Sequence, residues 1–287
     1  VSLDAATLER LTGSPAVRAS RLGGGDVAES FRVELADGLT VFAKTHRDPP
    51  PGFFSTEAAG LTWLRDGVEG TALRVPRVVG CSDEPPMLVL EWIDETRAVA
   101  PDEPAVGRAL ADLHRAGAPC FGREDRRTTG SRRLPNDPTG TWVEFYARQR
   151  LLPLARLASD AGALAPATVT AVEDVAGQLA ELGGPDEPPA RLHGDLWAGN
   201  RVVDRAGRSW LIDPACHGGH REFDLAMMRL FGGFGAECFA AYGEAHPLAD
   251  GWEDRVALHQ LAPLIVHAIK FGGGYRAATD EALARYR

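Results

Sequence analysis

Apolar and polar residues alternate from Val27 to Leu35, with Phe31, Val33 and Leu35 in register, and the alternation resumes from Leu39 to Lys44. A period of two marks a half-buried strand. Asp37-Gly38 between the runs predicts a two-residue hairpin turn. Ser55 to Arg65 reads as a helix, with Ser55 or Thr56 available as its cap. Val75 to Val79 and Met87 to Ile93 read as two further strands around a proline-containing turn. After Asp94-Glu95-Thr96 the period changes: Val106, Leu110 and Leu113 recur at helical spacing between Glu103 and Ala116. A polar stretch from Cys120 to Gly140, with Arg126, Arg127, Arg132 and Arg133, reads as a long loop, of a length that is usually functional or disordered.

Helices are predicted over Thr141 to Leu157 and Pro166 to Leu182, the second stopped by Gly183-Gly184-Pro185. Short strands follow at Arg201 to Val203 and Ser209 to Ile212, joined by an Ala206-Gly207 turn. The remainder reads as helical, interrupted at Gly232-Gly233 and Gly272-Gly273-Gly274. The expected fold is α+β with two lobes: a small antiparallel-sheet lobe with one key helix over 1–93, and a larger, mainly helical lobe over 94–287.

Composition narrows this only a little. Of 287 residues, 44% are hydrophobic and 25% charged, as in an ordinary globular protein. A formal charge of -9 argues against a nucleic-acid partner, which calls for a basic footprint. No apolar run approaches the length of a membrane span. The four cysteines have no C-x-x-C spacing and read as reduced thiols, so the cytoplasm is the expected compartment.

The chemistry concentrates in His193-Gly194-Asp195-Leu196-Trp197-Ala198-Gly199-Asn200, followed by Leu211-Ile212-Asp213. The spacing H-x-D-x-x-x-x-N with a later strand-borne Asp matches the kinase catalytic loop. Asp195 is the candidate base that accepts the proton of an attacking hydroxyl. Asn200 and Asp213 offer the hard oxygens that Mg2+ prefers. Lys44, closing Val41-Phe42-Ala43-Lys44, fits the strand lysine that binds nucleotide phosphates, and Glu57 in the next helix can pair with it. Backbone amides of Gly24 and Gly25, in the Gly23-Gly24-Gly25 run, could approach phosphates, although the run is not G-x-G-x-x-G. The strand Met87 to Ile93 is expected to end at the hinge between lobes. Met87 or Leu88 would line the adenine pocket, and Glu91, Trp92 and Ile93 would present backbone to the adenine edge. His193 reads as a brace of its loop and His114 as a structural helix histidine. Asp224 is either a helix N-cap or a buried carboxylate receiving amides from the Asp195 loop. Cys216, His217 and His220 make only three soft ligands with no second pair, so a structural zinc site is not expected there.

These stretches, with Ile212-Asp213-Pro214-Ala215-Cys216, Arg221-Glu222-Phe223-Asp224-Leu225-Ala226-Met227 and Leu230-Phe231-Gly232-Gly233-Phe234, resemble the fructosamine kinase (ketosamine 3-kinase) family. That family belongs to the aminoglycoside phosphotransferase-like branch of the protein-kinase-like fold. Trp197 after Asp195-Leu196, and Asp213-Pro214-Ala215, separate it from most aminoglycoside and choline kinases. Similarity also appears around Glu57 and from Trp142 to Arg150. The resemblance implies transfer of phosphate from ATP, with Mg2+, to the 3-hydroxyl of a free or protein-bound ketosamine. It implies Asp195 as base, Asn200 and Asp213 as metal ligands, Lys44 with Glu57 as the nucleotide pair, and Trp197 at the acceptor sugar. It also implies deglycation as the role, and a monomer or weak homodimer. Gly194 stands where many protein kinases have arginine, Asp213-Pro214 replaces Asp-Phe-Gly, and no A-P-E signature follows, so a protein kinase is disfavoured. An aminoglycoside or other hydroxyl-acceptor kinase is the alternative, and a non-catalytic nucleotide-binding pseudokinase a minor one.

Overall fold

The computed structural model describes residues 3–23, 28–125, 128–129 and 134–286. The chain begins with α1 (Ala5–Thr12), β1 (Ala16–Leu22), β2 (Glu29–Leu35), β3 (Thr40–Thr45), α2 (Phe53–Val68), β4 (Leu73–Arg74), β5 (Val78–Asp83) and β6 (Pro86–Glu91). It continues with α3 (Glu103–Arg115), β7 (Thr128–Thr129), β8 (Leu134–Pro135), α4 (Trp142–Phe145), a π-turn over Tyr146–Leu151, α5 (Leu152–Asp160), α6 (Pro166–Gly177) and α7 (Leu179–Leu182). Last come β9 (Ala190–Leu192), β10 (Arg201–Val203), β11 (Ser209–Leu211), β12 (His217–Gly219), α8 (Glu222–Phe231), α9 (Ala236–Ala245), α10 (Trp252–Phe271) and α11 (Gly274–Ala284). Among the described residues no helix is long and apolar enough to cross a membrane. Two compact units form: the first from Val1–Asp102 with Asn200–Ala215, the second from Glu103–Gly199 with Cys216–Arg287. A single cut at 93/94 therefore does not describe the packing, because the hairpin that carries Asn200 and Asp213 returns to the first unit.

In the first unit a five-stranded sheet runs in the order β1-β2-β3-β6-β5, with every neighbouring pair antiparallel. Phe31, Val33 and Leu35 are buried, as period-two alternation requires, and they pack with Leu8, Val41, Ala43, Met87 and Val89. The β2–β3 connection is longer than two residues. Leu35 N–H donates to Leu39 O at 2.8 Å, so Ala36, Asp37 and Gly38 form the loop, with Gly38 at φ 87°. Neither Ser55 nor Thr56 caps α2; the helix begins at Phe53 behind Gly52, and Ser55 Oγ donates back to Gly52 O at 3.2 Å. The stretch 75–79 is not one strand: residues 75–77 lie between β4 and β5, where Pro76 has no N–H to give a ladder. β4 instead runs parallel to β11.

The β10–β11 hairpin is tied by Asp204, which is 4% exposed. Its Oδ1 accepts from the amides of Ala206 (2.9 Å) and Arg208 (3.0 Å), and its Oδ2 accepts from Arg208 Nε (2.7 Å) and Trp210 Nε1 (2.9 Å). Burial pushes this carboxyl up, but the Trp210 and Arg208 bonds outweigh it and hold the group below its ordinary 3.8. A depressed carboxylate stabilises the fold above the unfolded-state value and loses that contribution as pH falls through the folded one. Asp204→Ala is expected to lower stability by about 2–4 kcal/mol at neutral pH, because several donors lose their acceptor together. The gap between variant and parent should narrow below about pH 4. Denaturant melts at both pH values check this, and equal stability at pH 7 would contradict it.

The second unit is helical around a core that includes Tyr146, Leu154, Val172, Leu258, Leu261 and Ile265. The predicted 141–157 helix is a longer run from Trp142 to Asp160, interrupted by the π-turn. β9 pairs antiparallel with β12, His217 opposite Leu192. The second of these strands falls in sequence read as helical, and its His-Gly-Gly composition gives no apolar pattern to announce it.

Candidate active site

In the first unit, Lys44 lies near the end of β3 with its ammonium between two carboxylates. Nζ donates to Glu57 Oε1 at 2.8 Å and forms an ion pair with Asp213 Oδ1. The Lys44 side chain is 10% exposed, whereas that of Asp213 is 46% exposed. Burial alone would drive the lysine to give up its proton, but Glu57 and Asp213 overcome that and hold it cationic well above its usual range. Asp213 adopts a left-handed backbone, φ 53°, uncommon outside glycine and tolerated best by Asp and Asn. Asn200 Nδ2 lies 3.5 Å from Asp213 O. The Asn200 and Asp213 side chains thus bring an amide oxygen and a carboxylate to one stretch of backbone, a hard donor set suited to Mg2+.

In the second unit, the Asp195 loop leaves β9 and is fixed from behind by Asp224, which is fully buried in the first turn of α8. Asp224 Oδ2 accepts from His193 N (2.8 Å) and Oδ1 accepts from Gly194 N (2.9 Å). His114 Nε2 lies 3.3 Å from Oδ2, and His114 Nδ1 is 2.8 Å from the Tyr242 hydroxyl. Burial pushes the Asp224 carboxyl up, yet the His114 contact and the Gly194 amide hold it below its ordinary range. Gly194 takes φ 79°, which opens the turn that points both amides at Asp224. His193 Nδ1 accepts from Asp195 N at 3.2 Å, so this histidine braces its own loop. Asp195 itself is half-buried. Trp197 packs over Gly199, and its ring lies edge-on to Phe231 at 5.8 Å.

Other expected residues sit as follows. Met87 and Leu88 are both fully buried, but Met87 pairs with Thr45 and belongs to the core cluster with Leu8 and Ala43, so it does not share a face with Lys44. The residue opposite Lys44 across the β3–β6 ladder is Leu88, and opposed residues share a face. Of the two residues offered for the adenine pocket, Leu88 is therefore the one on the lysine's face of the sheet. β6 ends at Glu91, whose N–H donates to Arg77 O at 3.0 Å, while Ile93 O accepts from Glu95 N at 2.9 Å. Trp92 Nε1 donates to Asp94 Oδ1 at 3.1 Å. Gly24 and Gly25 lie outside the described residues, as do Arg126, Arg127, Arg132 and Arg133. Tyr242 was not singled out from sequence; it lies on an alanine-rich helix with nothing local to mark it, and only the packing of α3 against α9 brings it to His114.

The family profile for fructosamine kinase matches residues 2–287. A protein from Enterococcus faecium named probable ketoamine kinase is 33% identical over 269 residues, covering 92% of this chain and 93% of its own. The chloroplastic protein-ribulosamine 3-kinase of Arabidopsis thaliana is 31% identical over 286 residues, covering 96% of this chain and 85% of its own. A crystal structure of a candidate fructosamine-3-kinase from Thermobifida fusca has TM-score 0.90 and 41% identity, covering 99% of this chain and 98% of that one. An aminoglycoside phosphotransferase, 13% identical over 98% of each chain, shares the fold at TM-score 0.62. The chain belongs to the fructosamine kinase family and is a phosphotransferase acting on a hydroxyl group.

Proposed function

We propose that the chain transfers the γ-phosphoryl group of ATP, with Mg2+, to the 3-hydroxyl of a ketosamine such as a fructosyl- or ribulosyl-amine. The observation that carries the phosphotransfer half is the Lys44–Glu57–Asp213 triad: one buried ammonium shared by two carboxylates, with Asn200 beside the second. The ketosamine half is supported by the named activities of relatives that match over nearly the whole chain.

Lys44 steadies the nucleotide's α- and β-phosphates, and Glu57 keeps its ammonium in place. Asn200 and Asp213 hold Mg2+ through oxygen donors. The triad's one net negative charge favours a divalent cation at Asp213. Bound Mg2+–ATP supplies the phosphoryl group and neutralises the charge that develops on it. Leu88 would lie toward the adenine, and backbone groups around Glu91, Trp92 and Ile93 would meet its edge. Asp195 orients the sugar 3-hydroxyl. As the bond from O3 to phosphorus forms and the bond to the β,γ-bridging oxygen breaks, the Asp195 carboxylate takes the hydroxyl proton. Trp197 offers an indole face to the sugar. The phosphorylated ketosamine is less stable and releases its amine, so the reaction serves deglycation. On this reading the enzyme works in the cytoplasm as a monomer or weak homodimer.

ADP release with Mg2+–ATP, measured with a fructosyl-amine, a ribulosyl-amine, an aminoglycoside and no acceptor, tests the reading. Turnover is expected with at least one ketosamine and not with the aminoglycoside. Turnover with the aminoglycoside alone would overturn the acceptor, and silence with every acceptor would overturn the kinase assignment.

A further inference from the structure

A second cluster of ligating side chains is buried in the second unit, among residues with no part in the proposed phosphotransfer. His220 follows β12, Glu222 opens α8, and His259 lies in the middle of α10. One potential ligand atom from each lies within 4.8 Å of the others. The three residues are 2%, 1% and 0% exposed. Buried polar atoms are normally paired, yet His220 Nε2 and both ring nitrogens of His259 have no hydrogen-bond partner among the described residues. His259 Nε2 is 3.4 Å from Glu222 Oε2, without the alignment of a hydrogen bond.

We propose that His220, Glu222 and His259 form a binding site for a zinc-class divalent transition-metal ion. Two imidazoles and a carboxylate are a donor set zinc uses elsewhere, and nitrogen ligands select it over Mg2+. Glu222 is already oriented: Arg255 donates to Oε2 through Nε at 2.9 Å and to Oε1 through Nη2 at 2.6 Å. Each carboxylate oxygen keeps a second lone pair, so the guanidinium can stay behind a ligating carboxylate as an orienting partner. Burial pushes both imidazoles below their ordinary range, toward the neutral form that a metal requires. Coordination through His220 Nε2 puts the ring proton on Nδ1 and gives up only a long contact, 3.3 Å, with the Glu222 amide. Glu187 Oε2 lies 3.9 Å from His220 Nε2, and the fourth position falls to it or to solvent. Linear spacing hides the set, because the third ligand arrives from α10, far along the chain from the cysteine-histidine run. An ion here would staple the start of α8 to α10, on the helix that also carries Asp224.

Co2+ is the probe. The full-length chain, stripped with a chelator and held in excess Mg2+ to fill hard-oxygen sites, is titrated with Co2+ and followed by visible d–d absorption. One equivalent is expected, displaced by Zn2+, and Zn2+ should raise the unfolding temperature. His259→Gln and, separately, His220→Gln should abolish the absorption and the thermal shift while near-ultraviolet circular dichroism shows a packed fold. Absence of d–d absorption in the parent chain would overturn the proposal and leave a histidine pair bridged by water. Undiminished absorption in both variants would also overturn it.

Discussion

Asp195→Asn is expected to cut turnover by about a hundred- to ten-thousandfold, the usual worth of a positioned general base. The amide keeps the size of the side chain and can still orient a hydroxyl, but it cannot take the proton. The backbone holding the residue is unaffected, since Asp195 N donates to His193 Nδ1 and the two preceding amides are held by Asp224. The groups assigned to the nucleotide, Lys44, Glu57, Asn200 and Asp213, keep their own side chains in this variant. ATP affinity should therefore stay close to that of the parent, and the loss should appear in kcat. Steady-state kinetics with a ketosamine, alongside ATP titration by calorimetry, checks both halves. Undiminished turnover would remove Asp195 from the role of base.

Asp224→Ala is expected to damage both stability and rate. The fully buried carboxylate accepts from His193 N and Gly194 N and faces His114 Nε2. Its loss strands these groups away from water, and breaking such a buried network costs about 3–5 kcal/mol. The freed loop should also lower kcat by roughly tenfold or more, because small misplacements of a reacting group are expensive. Asp224→Asn retains one acceptor oxygen and should fall between parent and alanine variant in both properties. Asp224 acts here through the loop it positions, so the KM for ATP should change little. Denaturant melts and initial-rate kinetics of both variants test this, and a stable, fully active alanine variant would contradict it.

Where side chains announce their own face, the sequence was legible. Phe31, Val33 and Leu35 alternate because one side of β2 is core, and α3 shows Val106, Leu110 and Leu113 because one side of that helix is buried. The order of a lysine-ended strand followed by an acidic helix anticipated the 2.8 Å contact between Lys44 and Glu57. β1 escaped because it is an edge strand, exposed along most of its length, with no alternation to read. β12 escaped because two of its three residues are glycine, held by the pairing with β9. Between Met87 and Leu88 the sequence leaves parity open, since a step of one residue along a strand moves a side chain to the opposite face, and only the pairing with Lys44 decides it. The buried partners of the Asp195 loop were only half legible. Asp224 follows the motif closely enough to be singled out, but the His114–Tyr242 contact joins helices 128 residues apart and leaves no local trace.

Nuclear magnetic resonance of the product made from Mg2+–ATP and a 13C-labelled fructosyl-amine tests the central claim most directly. Phosphorus–carbon coupling should place the new phosphate on O3, with free amine appearing as that product decays. Phosphate on another hydroxyl, or on no hydroxyl of the ketosamine, would contradict the proposed reaction.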